Sequence, residues 1–219
     1  MAQKVLDPRN IGAGKPWKPS GPLPRHVRDF GYFPDFTVLL PGDLLLVSAL
    51  DPLLVSTVII SAQERGGYAQ EDARWHHAAM YFGEGLGNCL CEAVAKDGIR
   101  QSPLYPYIGK HLLRFRRDPT LDISTRWRIV VRALTRLGHS YSKSRLVELA
   151  AKAMEGYWKD VATADASAII CSEFYSDAYS VVTKKVLKNT IAGEATPAYL
   201  SCCAELEDIE VGWLRIGDR

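Results

Sequence analysis

Ala168-Ile169-Ile170-Cys171-Ser172-Glu173-Phe174-Tyr175-Ser176-Asp177-Ala178-Tyr179 sets a cysteine where a short apolar run turns into an amphipathic helix. Cys171, Phe174, Tyr175, Ala178 and Val182 recur at helical spacing, so the cysteine opens the buried stripe, while Lys184, Lys185 and Lys188 fall toward the far end. A thiol in the first turn of a helix sits near unpaired backbone N–H groups and the positive end of the dipole, which favours the thiolate. The same N–H groups are able to hold an oxyanion. The competing role for Cys171 is plain packing, since free cysteine is among the most buried residue types.

Composition narrows what can surround this helix. The chain has 219 residues, 47% of them hydrophobic, enough for one substantial core without disulfide staples. Its net charge is +2 and its 27 basic residues are spread along the chain, which argues against nucleic acid as the main partner; Arg114, Arg116 and Arg117 read as a solvated edge. Five cysteines are an odd number and show no four-ligand C-x-x-C pairing, so no metal site or cofactor is expected. No charged start followed by an apolar core and a small-residue cleavage site is present, which predicts a cytoplasmic protein or export by a route that needs no Sec signal. The apolar stretch from Leu39 to Ile60 is broken by Pro41, Asp43, Asp51 and Pro52 and does not suit a membrane span.

Residues 1–36 carry six prolines among glycines and basic residues, and are expected to form an irregular arm that lies over the domain or is partly disordered. Residues 37–219 are expected to form a single domain. Pro41-Gly42 turns into a buried strand from Asp43 to Val47, and Asp51-Pro52 starts a helix. Gln63 to Arg74 reads as a long polar loop of the kind that is often functional. Trp75 to Phe82 and Cys89 to Val94 form a hairpin about the turn 83–88. Alternation puts His77, Ala79 and Tyr81 on one face and His76, Ala78, Met80 and Phe82 on the other. With the six turn residues at the tip, position 77 faces 94 and lies diagonally beside 92. A His77–Glu92 contact is then cheap, with Cβ atoms roughly 5–8 Å apart; the alternative is that two polar residues merely share a solvated face. Ile99 to Leu104 suggests a further strand, His111 to Arg116 an edge strand, and Glu210 to Ile216 a last one. Ser124 is expected to cap a helix with Trp127, Val130, Val131, Leu134 and Leu137 on its buried stripe, and a second helix is expected over 143–157.

A nucleophile, a base within reach and an orienter for that base are the minimum for acyl transfer, and Cys171, His77 and Glu92 can supply them. The residues resemble the YiiX-like amidases, permuted members of the NlpC/P60 papain-like superfamily. Gly42-Asp43-Leu44-Leu45-Leu46 is similar to that family's opening Gly-Asp-apolar strand, His77-Ala78-Ala79-Met80-Tyr81 to its His-x-Gly strand, and Cys91-Glu92-Ala93 to its apolar-Glu-Ala strand. Ile170-Cys171-Ser172-Glu173-Phe174 resembles its Cys-Ser-Glu helix start, Thr196-Pro197-Ala198-Tyr199-Leu200 its Thr-Pro segment, and Gly138-His139-Ser140-Tyr141 its Gly-x-x-Tyr. Ala79 stands where the family has glycine, and the Gln63–Arg74 stretch has no family counterpart.

The resemblance spans about residues 38 to 200 and implies an α+β fold, circularly permuted papain-like, with an antiparallel sheet carrying His77 and Glu92 packed against the helix that begins at Cys171. It implies Cys171 as nucleophile, His77 as general base and then acid, and Glu92 as orienter, with no metal or organic cofactor. His76 is the rival base, on the opposite strand face. Tyr141 is a candidate donor to an oxyanion or substrate carbonyl, unless it is a buried tyrosine with a satisfied hydroxyl. The expected activity is that of a cysteine amidase or peptidase acting on peptide, above all peptidoglycan stem peptide. An intracellular role or delivery as an antibacterial effector follows, and an effector implies an inhibitor or immunity protein as partner. The alternatives are a lipid acyltransferase or thioesterase with the same triad, and a non-catalytic binding domain of the same fold.

Overall fold

The computed structural model describes residues 2–83, 89–141, 170–187 and 195–217. In chain order its regular elements are β1 (Val5–Leu6), β2 (Lys15–Trp17), α1 (Arg25–Phe30), β3 (Tyr32–Pro34), β4 (Leu44–Ala49), α2 (Leu54–Arg65), α3 (Gln70–Ala73) and β5 (His77–Tyr81). Then follow β6 (Leu90–Val94), β7 (Gly98–Ser102), β8 (His111–Arg117), α4 (Ile123–Leu134), α5 (Cys171–Thr183), α6 (Pro197–Cys202), β9 (Glu207–Ile209) and β10 (Trp213–Ile216). The main sheet has the order β1-β8-β4-β5-β6-β7, with β9 also on β8, and every pair in it is antiparallel. A second sheet, β2-β10-β3, joins the start of the chain to its end.

The run Leu44-Leu45-Leu46-Val47 lacks alternation because both faces of β4 are covered. Leu44 and Leu46 pack with Trp75, Ile129, Phe174 and Tyr175 on the helix side. Leu45 and Val47 pack with Phe33, Leu104, Ile108 and Trp213 on the other. The turn before β4 needs Gly42, whose φ of 82° belongs to the left-handed region. Asp43, fully buried, then ties this turn to β8 and α4: Oδ1 accepts from Arg117 Nε at 2.8 Å and Arg126 Nη1 at 3.3 Å, and Oδ2 from the Leu40 N–H at 2.7 Å.

That buried pair corrects the expected face of α4. Drawing Arg126 inward turns Ile129, Val130 and Ala133 to the core and leaves Trp127 and Val131 exposed. The cap is Asp122, whose Oδ1 accepts the Thr125 N–H at 2.6 Å, rather than Ser124. β8 is not an edge strand, since β4 lines one side of it and β1 and β9 share the other. The helix expected over 143–157 lies outside the described residues.

The N-terminal segment is more regular than its prolines suggest. Its aromatic residues require burial, and β2 and β3 flank β10 while β1 joins β8. Trp17 stacks on Phe33 at 5.2 Å and Phe30 meets Trp213 edge-on at 5.5 Å. The same segment braces the turn before β8: His26 Nε2 donates to the Tyr105 carbonyl at 2.8 Å, and Phe30 lies where a Cβ on Gly109 would approach to 3.0 Å.

Nor is 63–74 an open loop. Helix α2 begins after Leu53 instead of at Asp51 and runs through Gln63 to Arg65, and the short helix α3 follows over Gln70–Ala73. Buried Gln63 donates through Nε2 to the carbonyls of Ala73 at 2.7 Å and Trp75 at 2.9 Å, and accepts the Ala198 N–H through Oε1 at 2.9 Å. Gln63→Ala is therefore expected to lower stability by on the order of 3 kcal/mol in urea unfolding, because buried partners left unpaired cost about 1–3 kcal/mol each. An unchanged midpoint would mean that α2, α3 and α6 hold together without this side chain.

Candidate active site

The hairpin between β5 and β6 pairs Ala79 with Glu92, Met80 with Cys91 and Tyr81 with Leu90. Continued by two residues, this register sets His77 opposite Val94 and diagonal to Glu92, the geometry of a same-face neighbour. His77 Nε2 lies 2.8 Å from Glu92 Oε2. The carboxylate is almost wholly buried and has further donors: the Tyr107 hydroxyl reaches Oε2 at 2.6 Å, and Arg100 reaches Oε1 through Nε at 3.4 Å and Nη2 at 3.3 Å.

Cys171 is the first residue of α5, and the residue is 5% exposed. The next three residues of its motif have structural duties. Ser172 Oγ donates to the Ala195 carbonyl at 2.6 Å, Glu173 accepts the Ile170 N–H at 3.3 Å, and Phe174 enters the core. The stripe of α5 packs with Ala78, Met80, Cys91 and Ala93, so the helix covers the sheet face opposite in parity to His77 and Glu92. His77 reaches both groups because it is the first residue of β5: Nε2 faces Glu92, and the ring lies close enough to Cys171 for that residue to raise its pKa.

Electrostatics separate the histidines. Burial penalises a charged His77, but the hydrogen bonds to Cys171 and Glu92, with the charges of both, outweigh it and raise its pKa to about 10. Burial likewise opposes charge on Glu92, yet His77 and Tyr107 bring it down to about 2. His76, by contrast, is lowered to about 4 by burial and by the neighbouring His77 and His111. Its Nε2 accepts the Ala49 N–H at 2.9 Å, and this occupied lone pair is unfavourable for the rival base. Tyr141 packs against the cluster that holds Cys171, and burial with the nearby charges of Cys171 and Glu173 pushes its hydroxyl up, leaving it a donor. Burial pushes the Cys91 and Cys203 thiols up to about 12.

These shifts predict a pH dependence. The lowered Glu92 contributes stability that is present above about pH 4.5 and lost as pH falls toward about 2. The raised His77 contributes stability that is full below about pH 6.5 and lost as pH rises toward about 10. Both describe one ion pair, so the stability gap between the wild type and Glu92→Gln should be widest between those two inner limits and narrow on either side. Urea midpoints across pH measure it, and a gap independent of pH would show that the pair is not ionised.

Arg100 and Tyr107 belong to no motif of the sequence. Arg100 stands directly opposite Glu92 in the β6–β7 register, which period-2 pairing could have found. Tyr107 ends the 3-10 turn Tyr105–Tyr107, where no periodicity operates.

The architecture is an α+β, YiiX-like fold: an antiparallel sheet with helices against one face and the candidate site at the start of α5. It is similar to the solved structure described as the metalloprotein yiiX, DUF1105, from Escherichia coli O157:H7, with a TM-score of 0.54 and 17% identity, covering 78% of this chain and 96% of that one. At that identity the likeness is one of fold. No protein-family model and no curated protein matches the chain. As to a metal, no group of three or more His, Cys, Asp or Glu among the described residues is placed to hold one, and His77 Nε2 and His76 Nε2 already face Glu92 and Ala49. The described residues do not fit a metal centre.

Proposed function

We propose that this chain is a cysteine hydrolase that cleaves an amide bond through a thioester on Cys171. One observation carries the reading: the His77 ring meets Glu92 at 2.8 Å and lies close enough to Cys171, at a helix N-terminus, for that residue to raise its pKa. The chain order His77, Glu92, Cys171 suits a permuted papain-like arrangement. With Nε2 bound to Glu92, Nδ1 is the ring atom that holds the proton taken from the thiol, so the imidazolium faces a thiolate. Cys171 Sγ then bonds to the amide carbon, and the oxyanion is held by first-turn N–H groups of α5 with the Tyr141 hydroxyl as a further donor. The C–N bond breaks as imidazolium returns the proton to the leaving nitrogen. Water next gives a proton to His77 and adds to the thioester, and the C–S bond breaks to leave a carboxylic acid and a thiol. Glu92 stays ionised throughout and fixes the tautomer.

The family resemblance favours peptidoglycan stem peptide as substrate, in an intracellular role or as an exported antibacterial effector with a cognate inhibitor. Lipid acyl chemistry is the second reading, favoured by the start of α2, where the N-cap Leu53 and the helical Leu54, Val55 and Val58 are 79%, 79%, 57% and 41% exposed. That helix follows β4, where Val47 pairs with His77. No described helix is long and apolar enough to cross a membrane, so any lipid contact by these helices would be at a surface. Iodoacetamide labelling near neutral pH should select Cys171 and be lost in His77→Ala; uniform labelling of the thiols would count against an enzyme. Digestion of purified sacculi with no fatty acid released from phospholipid is the expected outcome, and the reverse would establish the lipid reading.

A further inference from the structure

We infer that Tyr107 is a positioning residue of this site, its hydroxyl holding Glu92 in the one orientation that meets His77; the inference rests on the hydrolase reading above. The terminal torsion of a glutamate is broad, so burial alone does not orient its carboxylate. Here two donors converge on one oxygen, Tyr107 at 2.6 Å and His77 at 2.8 Å, while Arg100 takes the other. Arg100 is the weaker anchor, half-exposed, at 3.3–3.4 Å and shared with Asp97. Tyr107 is itself fixed. Its N–H donates to the Leu104 carbonyl at 2.9 Å, its ring lies 6.0 Å from that of His77, and His111 meets it edge-on at 5.3 Å.

The braces from His26 and Phe30 hold the same turn from outside. Burial and the adjacent Glu92 charge push the Tyr107 hydroxyl up, so it remains a donor wherever the site is ionised. The other titratable groups facing the pair are Cys171 from α5, Arg100 and Asp97 from the β6–β7 hairpin, and His76, Lys110 and His111 at the starts of β5 and β8. His76 and His111 are both lowered by burial and so carry little charge near neutrality.

The test is Tyr107→Phe, read by the NMR signal of the His77 ring proton without substrate and by the pH profile of Cys171 alkylation. The ring signal should shift or broaden, and the acid limb of alkylation should move up by about one pH unit, the worth of one hydrogen bond to a charged group. In a Glu92→Gln background the same substitution should add nothing to either readout, which a purely structural tyrosine would not do. If Tyr107→Phe fails to fold, fluorotyrosine at position 107 keeps the shape and should displace the ring signal instead. An unmoved ring signal, or equal effects with and without Glu92, would overturn the inference. An inactive wild type whose ring signal still responds would count against the hydrolase reading alone.

Discussion

Cys171→Ser is expected to lose at least about four orders of magnitude in turnover while its urea unfolding curve stays that of the wild type. The hydroxyl fits the space left by the thiol, so the core around Phe174 and Tyr175 should be undisturbed. It is far less ionised than a thiol at the same position, and the sulfur's nucleophilicity is lost with it. The other cysteines are the controls. Cys91 and Cys203 are buried with thiols raised to about 12, and Cys202 is the more accessible rival. Cys202→Ser should leave turnover unchanged. Loss of activity there, with Cys171→Ser still active, would move the nucleophile to α6 and overturn the reading.

The second large effect is expected at Glu92. Glu92→Gln keeps the shape and one hydrogen bond but removes the charge that holds the imidazolium, and kcat/KM should fall by about two to four orders of magnitude. His77→Ala should fall at least as far, and the double variant little further, because residues that act as a unit are not additive. A double variant whose losses multiply would indicate that His77 and Glu92 act separately in spite of the 2.8 Å between them.

The parts that could be read from residues alone are those governed by a strict period. Alternation along β5 and β6, with a six-residue tip, fixes which positions face one another, and His77 lies diagonal to Glu92 as counted. Helical spacing likewise gives α5 its start at Cys171. Periodicity fails where a buried polar side chain overrules it. Arg126 turns α4 by its pairing with Asp43, and Gln63 brings a polar helix end into the interior through three backbone partners. It is also silent about which sheet face a distant helix covers, and so about how His77 reaches Cys171 from the end of its strand. The prolines of residues 1–36 indicated irregularity, whereas the decisive property was the burial demanded by Trp17, Phe30 and Phe33.

The short strands of that first segment bear on solubility. β1 pairs with the outer side of β8 and β2 and β3 enclose β10, so together they hide rows of backbone N–H and C=O groups. A chain begun at residue 37 would leave those rows open beside Leu113 and Trp213, a template onto which a second molecule could add its own strand. Concentration-dependent aggregation is the failure to expect from such a truncation, ahead of any defect in chemistry.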